Sequence, residues 1–339
     1  MARFDLSEPE LAAYRPDVPE PDDFDIFWRE TLASSRAVDA AVRRAPVDTG
    51  LELVDVEDVV FPGFAGDPVR AWLVLPHAAE APLPAVVEFV GYGRGRGLPF
   101  ERLHWPVAGF AQLIVDTRGQ GSTWGTGGST PDPHGAGPAA SGFLTRGIED
   151  PATHYYRRVF TDAARAVDAV RTMPEIDAGR VAVTGNSQGG AIAIAAAGLS
   201  EDLVAALPTA PILSHMRRTV GLTDTDPHAE IARYLSVHRG ADEQVFRTLS
   251  YLDGVNFARR ATAPALFGAG LMDTVAPPSG VYAAANHWRG GAEVVAYPWN
   301  GHEGGEGVHW QRQLAWLRAR MDAAAAAAGA GNFRTTIAP

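Results

Sequence analysis

A doubly wound α/β fold is predicted for this chain, with a mostly parallel sheet, antiparallel strands at its N-terminal side and a helical insertion over one end, on three observations. Residues 85–90, apolar apart from Glu88, and residues 111–115 are continuous apolar runs, the pattern of strands buried on both faces of a parallel sheet. Helical stretches separate such strands from there to residue 321. Between one strand and its helix stands Gly185-Asn186-Ser187-Gln188-Gly189, a strand-turn-helix junction.

In chain order, residues 1–23 are acidic and proline-rich and read as an extended arm, the first part of an N-terminal arm and helix over residues 1–50. Asp22 or Asp23 caps the helix that follows, where Phe24, Phe27, Trp28 and Leu32 share one face expected to pack against the sheet. Residues 51–61 alternate apolar and acidic, and after the Pro62-Gly63 turn residues 69–75 form a second strand, an antiparallel opening to the sheet. A helix over 155–173 places Val159, Ala163, Ala166, Val167 and Val170 on one face. The strand-turn-helix at 181–198 is followed by strands at 205–207, 264–269 and 293–297 and a helix over 308–321. Residues 213–260, rich in His and Arg and without a strand pattern, are the helical insertion. Residues 1–322 are expected to form one domain and 323–339 a flexible tail.

At 339 residues the chain is long enough for a sizeable core, and 46% hydrophobic with 20% charged residues reads as soluble and globular. Forty acidic against 29 basic residues leave a formal charge of −11, which disfavours a nucleic-acid or anionic-membrane partner. The absence of cysteine excludes disulfides, thiolate catalysis and zinc-thiolate sites. Neither an apolar signal region nor an 18-residue apolar run is found, so a cytoplasmic location is expected.

Ser187 is read as a nucleophile, because glycines at 185 and 189 permit the tight turn that raises a serine hydroxyl above the sheet. Serine chemistry needs a base and an acid to hold it, in the order Ser, Asp, His for this architecture. Asp273 and His302 follow in that order, each on a loop after an apolar strand, where open α/β sheets place their sites. The oxyanion donors are assigned to the backbone N–H of Gln188 and that of Tyr92, in the loop Val90-Gly91-Tyr92-Gly93. That loop is no dinucleotide fingerprint, since Arg96 stands where the third glycine belongs. The run from His302 to Glu306 lacks the second histidine of H-E-x-x-H, so no catalytic metal is expected, and Glu303 is read as a hydrogen-bonding brace for the His302 loop. Arg118-Gly119-Gln120-Gly121 has no P-loop spacing and is read as a buried salt bridge or loop-ordering element in preference to an anion site.

Together with Asp23-Phe-Asp-Ile-Phe-Trp28, Arg118-Gly-Gln120, Thr145-Arg-Gly-Ile-Glu-Asp150, Gly185-Asn-Ser-Gln-Gly189, Gly270-Leu-Met-Asp273 and Asn300-Gly-His-Glu-Gly-Gly305, the chain resembles carbohydrate esterase family seven, the acetyl xylan esterase and cephalosporin C deacetylase group, over roughly residues 20–320. The resemblance implies an α/β-hydrolase fold, the same roles for Ser187, Asp273, His302, Tyr92 and Gln188, and cofactor-free deacetylation of small acetylated sugars and of cephalosporins. It also implies a homohexamer, a trimer of dimers with sites facing an inner cavity, in which residues 125–155 are an interface tongue and 213–260 roof the pocket. Asn186 replaces a frequent Gly and Ala276 a common Cys before Pro277-Pro278. Ser214-His215-Met216 and the 93–97 loop also differ, which leaves the preferred ester open. A serine peptidase of the same fold would share the triad but usually adds a propeller, for which residues 1–80 are too few. A non-catalytic binding protein of this fold predicts a damaged triad, whereas Ser187, Asp273 and His302 are all present.

Overall fold

The computed structural model describes residues 3–79, 82–135 and 141–333. Among them one nine-stranded sheet runs in the order β1-β2-β3-β5-β4-β6-β7-β8-β9, with β1 Arg43–Pro46, β2 Val54–Pro62, β3 Pro68–Pro76, β4 Leu83–Phe89, β5 Ala111–Val115, β6 Ile176–Asn186, β7 Ala205–Thr209, β8 Ala265–Gly270 and β9 Ala292–Tyr297. Strands β1, β2, β3 and β5 pair antiparallel; from β5 through β4 to β9 every pairing is parallel. The helices are α1 Glu8–Ala12, α2 Phe24–Arg36, α3 His104–Val107, α4 Tyr155–Arg171, α5 Gln188–Leu199, α6 Met216–Leu222, α7 Ala229–Val237, α8 Asp242–Ser250, α9 Gly254–Ala258, α10 Pro278–Asn286 and α11 Glu306–Phe333. None is long and apolar enough to cross a membrane.

Because successive strand residues face opposite sides, the two faces of the sheet bury different partners. Val87, Leu113, Val183 and Phe267 belong to the larger core, shared with α4, α5, α9 and α10. Their neighbours Val86, Ala182 and Leu266 join Trp105 beside α11 residues Leu317 and Met321 on the other face. Covered on both sides, β5 and β8 are buried at every residue, as their apolar runs predict. Helix α5 is also apolar all round and buried from Gln188 to Ala197, the pattern of a helix enclosed by its neighbours.

Several elements differ from the sequence reading. The 1–23 arm contains α1, started by a Ser7–Glu10 capping box, and Leu11 and Val18 are buried. Strand β1 was not anticipated, because a short, polar edge strand carries no apolar signal. The aromatic stripe of α2 is core, in one cluster with Val59 and Phe61 of β2, and its rings meet Phe160 of α4, Phe257 of α9 and Tyr251; the Asp23 carboxylate accepts from the Tyr251 hydroxyl without capping the helix. The expected tail is helical as far as Phe333, since alanine is the strongest helix former. Residues 334–339 lie outside the described residues.

Arg118 is fully buried. Its Nε and Nη2 donate to both oxygens of Asp162 at 2.6 and 2.7 Å, while Nη1 reaches Asp67 at 2.9 Å. The Asp162 carboxylate also accepts from the Phe64 N–H at 2.7 Å, so the pair ties the β5 loop to α4 and to the β2–β3 turn. Removing the guanidinium leaves a buried carboxylate without its counter-charge. Arg118→Met is therefore expected to destabilise the fold by about 3–5 kcal/mol, read as a fall in the urea midpoint; an unchanged midpoint would contradict the pairing.

Two fully buried histidines predict acid sensitivity. His154 Nε2 donates to the Leu144 carbonyl (3.1 Å) while Nδ1 accepts from the Tyr156 N–H (3.1 Å). His228 Nδ1 donates to the Val275 carbonyl (3.0 Å) while Nε2 faces the Leu213 N–H (3.4 Å). A second ring proton would confront a backbone donor, and burial pushes each imidazole from the ordinary 6.5 down to about 4. Between those values the unfolded chain binds protons that the folded chain refuses. Stability is then full above about pH 6.5 and falls towards pH 4, by up to roughly 1.4 kcal/mol per pH unit for each histidine. Urea unfolding at pH 7 and pH 5 checks this; equal midpoints would refute it.

Candidate active site

The junction between β6 and α5 is shaped by backbone contacts. Side-chain atoms at Gly185 would collide with the Gly189 backbone, and at Gly189 with the Phe89 carbonyl of β4. Between them Ser187 adopts φ 59°, ψ −120°, a region in which a non-glycine residue stores on the order of 1–3 kcal/mol of strain. The surroundings hold it there: its N–H donates to the Thr209 carbonyl at the end of β7 (2.9 Å), and its carbonyl accepts from Ala191 (3.1 Å) and Ile212 (3.3 Å). The side chain stays slightly open, at 8% exposure.

Asp273 lies in the turn between β8 and α10 and is fully buried. One carboxylate oxygen, Oδ1, accepts from the N–H groups of Val275 (2.8 Å) and Ala276 (2.9 Å), which leaves Oδ2 for His302 Nδ1 at 2.8 Å. That bond selects the tautomer whose Nε2 carries the free lone pair. His302, in the loop after β9, directs Nε2 to Ser187 Oγ at 2.7 Å. Glu303 braces this loop, its two oxygens accepting from Asn300 Nδ2 (2.8 Å) and the Gly301 N–H (3.0 Å), and these bonds, the Asn300 one foremost, hold its carboxyl below the usual range. The three residues singled out by order in the sequence therefore meet in one hydrogen-bonded line.

Gln188 follows Ser187 directly, and Tyr92 stands in the loop leaving β4, against which the first turn of α5 lies. Gln188 is the first residue of α5, so its N–H is among the donors a helix start leaves without an intrahelical partner. Its side chain, fully buried, accepts from Tyr156 Oη (2.7 Å) and Gln120 Nε2 (2.8 Å) and donates to the Val90 carbonyl (3.2 Å). Gln120 Oε1 in turn accepts from the Gly93 N–H at 2.7 Å. The serine turn and the 90–93 loop are thus locked to each other by two buried glutamines, with Gln120 in the loop-ordering place read from the sequence.

Sequence reasoning missed His228 and Glu230, both on the insertion. His228 touches Val275, which itself donates to Asp273. Glu230 accepts from the Tyr92 hydroxyl. Their only signal was that the 213–260 segment is rich in His, a composition that does not tell which side chain turns inward. A cleft of about 1060 Å³ runs between residues 17–23 and the insertion helices α6 and α8, but neither Ser187 nor His302 lines it.

The model of the acetyl xylan esterase (AXE1) family matches residues 1–320. An acetyl xylan esterase from Paenibacillus sp. R4 has a solved structure 38% identical in sequence, with a TM-score of 0.85 over 93% of this chain and 99% of that one. Acetyl xylan esterase 1 from Thermoanaerobacterium sp. JW/SL YS485 superposes with a TM-score of 0.84 at 31% identity, over the same shares of the two chains. Among curated proteins, acetyl esterase Axe7A of Xylanibacter ruminicola is 28% identical across 92% of this chain and 70% of its own length. A match over nearly the whole chain, on an α/β-hydrolase sheet, makes this protein a member of the acetyl xylan esterase family and a serine carboxylic ester hydrolase.

Proposed function

We propose that the protein removes acetyl groups from small acetylated carbohydrates, and the acetyl side group of cephalosporins, through an acyl-enzyme on Ser187. The observation that carries the reading is the line Ser187 Oγ–His302 Nε2–His302 Nδ1–Asp273 Oδ2, joined at 2.7 and 2.8 Å on a strained turn. In this reading His302 Nε2 takes the hydroxyl proton as Oγ attacks the ester carbonyl, and Asp273 stabilises the imidazolium that forms. The tetrahedral oxyanion is received by the N–H groups of Gln188 and Tyr92, each worth roughly 3 kcal/mol in the transition state. Collapse expels the sugar alkoxide, which takes the proton from His302 and leaves acetyl-Ser187. Water, deprotonated by the same histidine, then attacks the acyl carbonyl and releases acetate. Asp273, with two backbone donors on Oδ1, keeps one oxygen committed to the imidazole in every step.

The assembly proposed with this chemistry is a homohexamer, a trimer of dimers in which residues 125–155, of which 136–140 lie outside the described residues, form an interface tongue and the insertion roofs the pocket. Contacts of Glu230 with the Tyr92 loop and with residues 142–144 support the roof.

Ser187→Ala is expected to lower kcat on p-nitrophenyl acetate by about 10⁴-fold or more, and Asp273→Asn by roughly 10³- to 10⁴-fold; a Ser187→Ala enzyme as fast as the parent would sink the esterase mechanism. Acetate release from acetylated xylo-oligosaccharides and from cephalosporin C, measured side by side, tests the substrate class; cleavage of a peptide amide with no acetate release would favour peptidase chemistry. Gel filtration should return a hexamer-sized species, and a monomer peak would remove the assembly from the proposal.

A further inference from the structure

We propose that Glu230 is a positioning residue for the oxyanion hole: by holding the Tyr92 side chain from the insertion, it aims the Tyr92 N–H at the oxyanion. The inference rests on the reading above, in which that N–H is one of the two donors.

Glu230 stands in the first turn of α7 and is only 6% exposed. Burying a carboxylate costs several kcal/mol unless other donors replace its water. Here a phenol and two backbone amides supply them: Oε1 accepts from the Tyr92 hydroxyl and from the Gly142 N–H (2.9 Å), and Oε2 from the Leu144 N–H (3.1 Å). The Tyr92 oxygen itself accepts from the Gly142 and Phe143 N–H groups at 3.1 and 2.9 Å, and its ring meets Phe143 edge-on at 5.4 Å. Burial, and after it the Glu230 charge, push the phenol well above its ordinary range, so it remains a donor.

These contacts end on the residue whose amide is assigned to the oxyanion. A tyrosine has two side-chain torsions, so fixing its ring and its hydroxyl leaves little freedom in the Cα–Cβ direction and thus in the adjoining peptide plane. The backbone is held on both sides: the Gly91 carbonyl, in the same peptide plane as the Tyr92 N–H, accepts from the Arg94 N–H at 3.2 Å, and in the peptide that follows the Tyr92 carbonyl accepts from Trp124 Nε1 at 2.6 Å and the Gly93 N–H donates to Gln120 at 2.7 Å. Gln120 and Trp124 act from the β5 side of the loop, while Glu230 alone among these three reaches it from the insertion. A donor tilted off its acceptor weakens, steeply once the angle falls below about 120°, and losing one oxyanion donor altogether costs about 10²- to 10³-fold in kcat. Glu230 thus couples the seating of α7 to the chemical step. The competing account is a staple that joins α7 to residues 142–144 and touches stability alone.

The experiment compares Glu230→Gln and Tyr92→Phe, singly and combined, with the parent enzyme on p-nitrophenyl acetate, recording kcat, KM, thermal midpoint and inhibition by a trifluoromethyl ketone whose adduct places an oxyanion in the hole. Glutamine keeps the size but has one carbonyl oxygen, and its NH2 would oppose a backbone donor. Expected for each single variant are a kcat lowered by about 10- to 100-fold, a KM within about twofold of the parent, and inhibitor affinity weakened in step with kcat/KM. The double variant should be no slower than the slower single, as for residues acting through one contact. A Glu230→Gln enzyme with the parental kcat and a lower thermal midpoint would make Glu230 a staple only and overturn the proposal. Should that variant fail to fold, Tyr92→Phe keeps the carboxylate on the Gly142 and Leu144 amides, and a parental kcat for it would overturn the proposal equally. A parent enzyme as inactive as Ser187→Ala would instead fail the esterase mechanism itself, a separate outcome.

Discussion

The close approach of the first turn of α5 to the end of β4 is the constraint on which the site depends. With hydrogen in place of a side chain at Gly189, the helix start can lie against the Phe89 carbonyl, and Gly185 can lie against Gly189. That proximity puts the Gln188 amide next to the loop leaving β4, so that one side chain, Gln188, can span from the helix to the Val90 carbonyl. A methyl group at Gly189 would separate the two segments that supply the proposed oxyanion donors, and one at Gly185 would push the end of β6 off the first turn of α5. The strain of the Ser187 backbone is tolerated because β7, through Thr209, and the chain at Ile212 grip it from the other side.

Buried charge organises the loops around that junction. Asp116, at the end of β5, accepts from the N–H groups of Arg96, Ser129 and Thr130, so one carboxylate sets the path of the 91–97 loop and of its neighbour. Arg118 does the same for the segment approaching α4. In an interior of low dielectric such groups are costly unless every oxygen and nitrogen is met. The result is that the loops around the junction are tied to buried charged groups at several points.

The insertion reaches the site through two residues, His228 and Glu230, near the start of α7. One supports the turn that carries Asp273, the other holds Tyr92. The chain between β7 and β8 is therefore connected to both the acid end of the hydrogen-bonded line and the proposed oxyanion donor, and through Ile212 to the Ser187 carbonyl. Variation in this segment can therefore shift the Asp273 turn and the Tyr92 loop together.

By itself the sequence determined the alternation of strands and helices, the strand-turn-helix at Ser187 and the order in which Asp273 and His302 follow, because apolar periodicity and glycine spacing are local properties of the chain. Strand β1 and the reach of α11 escaped it, the first because a polar edge strand has no periodic signature, the second because alanine runs extend a helix with no amphipathic face to mark its end. Only the tertiary structure decided which buried polar groups meet. Gln120 with Gln188, His228 with Val275, and Glu230 with Tyr92 are separated by 47 residues or more in the chain, and no pattern within one segment states where a side chain from another will arrive. Hydrogen bonding at such distances is set by how the sheet brings strand ends together, a property of the packed molecule.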